Sequence, residues 1–147
     1  MKIFEREVPY EKLKFYQDIC ELRQMIYKLT ERFARTHLKL VSQMRDAARS
    51  AKQNIREGYQ RGTLKEFMRA IKISQGSLEE LMGDIEDCQE DGLITKQEFE
   101  TLAKLSRSAS YLMARYIQSL YKIEEEGTWK TPGKFRETSA PYLCNLS

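Results

Sequence analysis

Arg45, Arg49, Lys52 and Arg56 recur at steps of four, three and four residues, which on an α-helix sets the four cations in one line. Such a line suits the successive phosphates of a polyanion, because each neutralised phosphate releases condensed counterions. Tyr59 and Arg61 follow just beyond, where they could stack on a base or reach its backbone. Interleaved with the cations is a second line of small and polar residues, Gln43, Ala47, Ser50 and Asn54. Ala47 and Ser50 permit close backbone approach, and Gln43 and Asn54 need hydrogen-bond partners wherever another helix covers them. The stretch therefore carries two readings, a phosphate track and an interhelical packing seam with a polar network. Asp46 and Glu57 dilute its charge, so the cations could equally form a solvated face or pair with an acidic neighbour.

Other chemistry-bearing residues give weaker patterns. His37 is the single histidine and has no companion ligands at metal-site spacing. Glu80, Asp84 and Asp87 can share a helix face within an acidic run, but a carboxylate cluster becomes a metal site only with ligands from other helices. Cys20 and Cys88 fall within apolar stripes, which favours packing over nucleophilic chemistry, and Cys144 stands in the tail. Tyr111, Tyr116 and Tyr121 are five apart and so do not share a helix face as a stacking platform. The chain has no phosphate loop, dinucleotide fingerprint or nucleophile elbow. These residues predict no catalytic centre, no metal and no cofactor.

A chain of 147 residues, 41% hydrophobic and 32% charged, has the composition of one globular domain. No run approaches the roughly 20 apolar residues of a membrane span. The start "MKIFEREVPYEKLKF" mixes acids with bases and lacks an apolar signal core. With an odd number of cysteines at unpatterned spacings, these features predict a cytoplasmic protein with reduced thiols. Charge is unevenly distributed: residues 1–60 hold 13 Lys/Arg and 8 Asp/Glu, residues 61–90 hold 4 and 7. A basic first part and an acidic third segment suit either a polyanionic partner or complementary charges at a subunit contact.

Four periodic segments must position these side chains. The first spans about Tyr10 to Arg35, with Ile19, Leu22, Ile26, Leu29 and Phe33 on one face and Pro9 at its start. The second runs from Leu38 to Glu57 on a stripe of Met44, Ala48, Ala51 and Ile55, and Gly58 and Gly62 bracket "GYQRG" as its stop and turn. Thr63 and Glu66 have capping-box spacing before the third, whose Phe67, Ile71, Ser74, Leu78, Leu81, Ile85 and Cys88 keep a heptad pattern. Gly76 and Gly83 on that helix mark close helix approach or a weakened turn. Asp91-Gly92 breaks it, Thr95 and Glu98 offer another box, and a final stripe follows through Phe99, Leu102, Leu105, Ala109, Leu112, Tyr116, Leu120 and Ile123. Short connections predict an all-α, antiparallel up-down-up-down four-helix bundle over residues 1–126. Residues 127–147 have two prolines and no helical stripe, and are expected to form an irregular tail, mobile or docked on a neighbour.

The combination of "SQMRDAARSAKQNIREGYQR", "KEFMRAIKISQGSLEEL" and "DGLIT" resembles the bacterial four-helix-bundle family of 23S ribosomal RNA intervening-sequence proteins, over roughly residues 10–124. Ser42, Gln43, Arg45, Ala47, Ser50, Asn54, Glu57 and Gly58 match its second-helix signature, and Glu66, Phe67, Gly76, Ser77, Glu79 and Leu81 its third. Asp46 departs from the pattern, standing where a second basic residue often follows Arg45. The family is related in turn to the accessory variability proteins of diversity-generating retroelements, which form pentameric barrels and associate with nucleic acid and reverse transcriptase. The resemblance implies a homopentamer more strongly than it implies a reaction. It strengthens the reading of a non-enzymatic adaptor with RNA or nucleoprotein as partner through Arg45, Arg49, Lys52, Arg56 and Arg61, and with Gln43, Ala47, Ser50, Asn54, Gly58, Gly76 and Ser77 as the packing set. A scaffold that binds a protein partner without touching nucleic acid is the alternative.

Overall fold

In the computed structural model, which describes residues 9–129, four α-helices follow one another: α1 (Lys14–Thr30), α2 (Leu38–Gln60), α3 (Leu64–Glu90) and α4 (Lys96–Glu126). Among the described residues there is no strand. Each helix packs on the two next to it in the cycle α1–α2–α3–α4–α1, as the up-down-up-down arrangement requires.

The apolar stripes account for the core. All seven heptad residues of α3 from Phe67 to Cys88 are buried, as are Met44, Ala48, Ala51 and Ile55 of α2 and Ile19, Leu22 and Ile26 of α1. A fully buried Leu or Ile contributes about 1.5–3 kcal/mol. On α4 the buried line is Leu102, Ser106, Ala109, Met113, Ile117 and Leu120, while Leu105, Leu112, Tyr116 and Ile123 are half-buried on the flank toward α1. The core-facing direction is thus turned slightly from the expected stripe. Ser106 sits in the core because its hydroxyl donates to the Leu102 carbonyl at 2.8 Å.

The first segment is not one continuous helix. A 3-10 turn at Pro9–Lys12 precedes α1, and a second, Glu31–Phe33, follows it. At the break, Thr30 Oγ1 donates to the carbonyls of Ile26 (2.6 Å) and Tyr27 (3.3 Å), taking acceptors that the next helical amides would have used.

Nor does α2 stop at Gly58. It continues to Gln60, and the chain turns at Gly62, whose φ of +91° only glycine adopts readily. Gly58 instead lets α2 and α3 touch: a methyl group added there would lie 2.2 Å from Ala70 Cβ. Gly76 and Gly83 do not mark such an approach within the chain, since nothing lies within 4 Å of where their side chains would start.

Both expected N-caps form. Thr95 and Glu98 make a complete capping box. Thr63 accepts from the Glu66 amide at 3.2 Å, but the Glu66 carboxylate takes the Thr63 hydroxyl at 3.0 Å. α4 ends at Glu126; of the expected tail, Gly127, Thr128 and Trp129 are described, and the rest, with Cys144, lies outside the described residues. Trp129 folds back on the bundle, its ring stacked on Phe67 at 5.7 Å.

Candidate nucleic-acid interface

Arg45, Lys52 and Arg56 of α2 lie on its α1 side. Burial pushes the Cys20 thiol up, against the charge of Lys52, the hydrogen bond with Tyr16 and the charge of Arg23, in that order. The charge of Arg56 acts likewise on Tyr10 and Tyr16, whose hydroxyls burial also pushes up, Tyr10 to about 12. Arg49, exposed, lies on the same helical face one turn from Arg45 and Lys52. Tyr27 projects from α1 into this seam between two guanidinium groups, with Arg23 4.9 Å and Arg45 4.6 Å from its ring centroid.

Arg45 has a structural task as well. Its Nε donates to Thr30 Oγ1 at 3.0 Å and an Nη donates to the Tyr27 carbonyl at 3.1 Å. A cation held there suits the negative end of α1 and ties α2 to it. Arg61 does not extend the stripe. It lies on the α3 flank, 3.9 Å from the Glu66 carboxylate, lining a cleft of about 290 Å³ with Asn54, Glu57, Arg69 and Ile73.

The expected polar network forms in part, between α2 and α3. Ser50 Oγ and Ser77 Oγ are 2.9 Å apart, and Asn54 Nδ2 donates to the Ser50 carbonyl (2.8 Å) and hydroxyl (3.0 Å). Beside them buried Ser74 donates to the Ala51 carbonyl at 2.6 Å, and Ala47 is buried on the same flank. Gln43 is exposed and stands outside this network. The two lines of residues therefore occupy opposite flanks of α2, packing toward α3 and charge toward α1.

A second basic surface had no counterpart in the sequence reading. Residues 101–123 of α4 contain no Asp or Glu, and Lys104, Arg107, Arg115 and Lys122 are all exposed. Arg115 lies 5.8 Å from the Tyr111 ring centroid and donates to its hydroxyl at 3.3 Å. Lys72 of α3 contacts Tyr121. The absence of acids over 23 residues was the available signal. Tyr116 turns inward instead, its ring 5.3 Å from Phe15 and 6.2 Å from Phe67.

Two carboxylates tie the fold rather than build a site. Asp18 is buried on α1, pairs with Lys14 and accepts from Ser108 of α4 at 3.2 Å. Glu98 receives Arg32 through both oxygens at 2.7 and 2.8 Å, joining the end of α1 to the start of α4. That bond first, and the Thr95 amide second, hold the Glu98 carboxyl down to about 2. Asp84 is pushed up by burial and then by its neighbours Glu80 and Asp87. Among the described residues, no group of three or more His, Cys, Asp or Glu is placed to hold a metal ion. His37 Nδ1 lies 2.8 Å from Thr36 Oγ1, with its ring edge-on to Phe33.

The family model described as 23S rRNA-intervening sequence protein matches residues 11–115. No curated protein matches the chain. Among solved structures, the chain is similar to a protein of unknown function from the S23 ribosomal protein family of Bacteroides thetaiotaomicron VPI-5482, determined at 1.70 Å. The likeness has a TM-score of 0.65 at 19% identity and covers 70% of this chain and 97% of that one. At that identity it speaks to the bundle itself.

Proposed function

The chain belongs to the 23S rRNA-intervening sequence protein family, and from that membership together with its charged seam we propose that it is a non-enzymatic, homo-oligomeric adaptor that holds RNA or a nucleoprotein. The observation that carries this reading is the α1–α2 seam, where Tyr27 lies between the guanidinium groups of Arg23 and Arg45 and the charges of Lys52 and Arg56 act on Cys20 and Tyr10. Cations at roughly regular spacing neutralise phosphates, and an aromatic ring among them offers a base a stacking face. Repetition of the seam in an oligomer would multiply weak contacts into avidity. The resemblance to the accessory variability proteins motivates a pentamer as the oligomer. A cytoplasmic location suits the free thiols of Cys20 and Cys88. No helix among the described residues is long and apolar enough to cross a membrane.

RNA binding measured across a salt series tests the reading. Affinity should fall steeply as salt rises, and absence of binding to single-stranded or structured RNA even at low salt would overturn it. One observation favours the alternative of a protein-binding scaffold: Glu80 and Asp87 are exposed on α3 on either side of Asp84, an acidic surface that suits a basic polypeptide. Recovery of one stoichiometric protein after complete nuclease treatment would support that reading.

A further inference from the structure

At the end of the bundle where α1 begins and α2 and α4 finish, aromatic rings replace aliphatic packing. Tyr10 lies 5.4 Å from Tyr59, Tyr59 lies 5.5 Å from Phe67, and Phe67 stacks against Trp129. These rings, with Tyr116 and Ile123, line a cavity of about 340 Å³. Its volume is at the small end of the range for ligand pockets, and its walls present the half-buried rings of Tyr59, Tyr116 and Trp129 with Tyr10 and Phe67 buried behind them. Burial keeps two of those phenols, Tyr10 and Tyr116, at about 12, so both are hydrogen-bond donors at neutral pH. A flat heteroaromatic group can both stack on the half-buried rings and accept from a phenol, which a purely aliphatic occupant cannot.

The cavity lies at the Arg56 end of the basic seam. Tyr59 follows Arg56 by three residues on α2, and the charge of Arg56 acts on Tyr10 in the cavity wall. From Arg49 to Tyr59 the helix rises about 15 Å. We propose that this cavity receives an unpaired nucleobase from a single strand whose phosphates lie along Arg49, Lys52 and Arg56. The proposal rests on the nucleic-acid reading above and sharpens it to single strands, because bases in a duplex are stacked and their faces are covered.

Trp129 is the only tryptophan of the chain, so its fluorescence reports on the cavity alone. The test titrates the full chain at low salt with three dye-labelled RNAs of one length: a single strand, its duplex, and an abasic strand that keeps the phosphates. Dye anisotropy reports binding, and Trp129 emission reports occupancy. The single strand should quench Trp129 with the same midpoint as the anisotropy change and bind about tenfold more tightly than the abasic strand. Thr128→Phe, at an exposed position on the cavity rim, should abolish the quench and lower single-strand affinity to the abasic level. Equal affinity for ordinary and abasic strands, with no change in Trp129 emission, overturns the base pocket while leaving the phosphate seam in place. Binding of none of the three overturns both, as would tighter binding of the duplex with Trp129 unaffected overturn the single-strand preference.

Discussion

Single side chains in this bundle do one of two things, bracing or presenting charge, and Glu98 is the most heavily engaged brace. Its carboxylate takes Arg32 through two bonds and the Thr95 amide at 2.8 Å. Its folded pKa of about 2 lies below the ordinary 4.5, so the stability it lends is complete above 4.5 and is lost as pH falls through 2. Glu98→Gln should therefore flatten the fall in denaturation midpoint between about pH 5 and pH 2 relative to the parent chain. The site is mostly exposed, so high salt should shrink the difference. An acid profile identical to the parent's would contradict the assignment. Asn54 makes a smaller contribution, since it is half-buried and bonds to Ser50 of its own helix. Asn54→Ala should cost about 0.5–1.5 kcal/mol by chemical denaturation. Spacing alone puts Arg49, Lys52 and Arg56 on one face of α2. It puts Arg45 in the same line but does not reveal its bracing task, because the groups that engage its guanidinium, Thr30 and Tyr27, lie on another helix and become neighbours only on folding. Arg23 and Tyr27 were missed for the same reason.

Between elements, the tightest contact is α2 against α3, and glycine chemistry separates its buried side from its open one. Gly58→Ala would drive a methyl group into Ala70, and overpacking of this kind costs about 1–3 kcal/mol. Gly76→Ala should act in the opposite sense, stabilising α3 by about 0.5–1 kcal/mol through helix propensity, because open space lies in front of it. Urea denaturation of the two variants checks both signs, and destabilisation by Gly76→Ala would place a neighbouring copy against that face. The helices were legible where burial and hydrophobicity coincide, as on α3, whose heptad residues are all buried. They were less legible where a polar residue occupies the core. Ser106 hides one turn of the buried line on α4, so apolar residues one position away drew the stripe toward the α1 flank. Gly58 read as a terminator because the sequence does not reveal what stands opposite a small residue, and a close crossing and a helix end both favour glycine.

For the molecule as a whole, the helices separate packing from charge: α2 turns its small polar line to α3 and its cations to α1. The proposed assembly should have five times the 17.4 kDa chain mass in light scattering at several concentrations. A monomer at every concentration would contradict it. The claim on which the account most depends is that the α1–α2 seam carries the RNA. It is tested most directly by the Arg49→Gln, Lys52→Gln, Arg56→Gln triple variant, with Arg45 left intact because it braces α1. RNA affinity of parent and variant is measured across a salt series, alongside mass and helicity. The account predicts unchanged mass and helicity, weaker binding, and a salt slope shallower by roughly 0.7 for each lost single-strand phosphate contact. A folded variant with the parent's affinity and the parent's slope would contradict it.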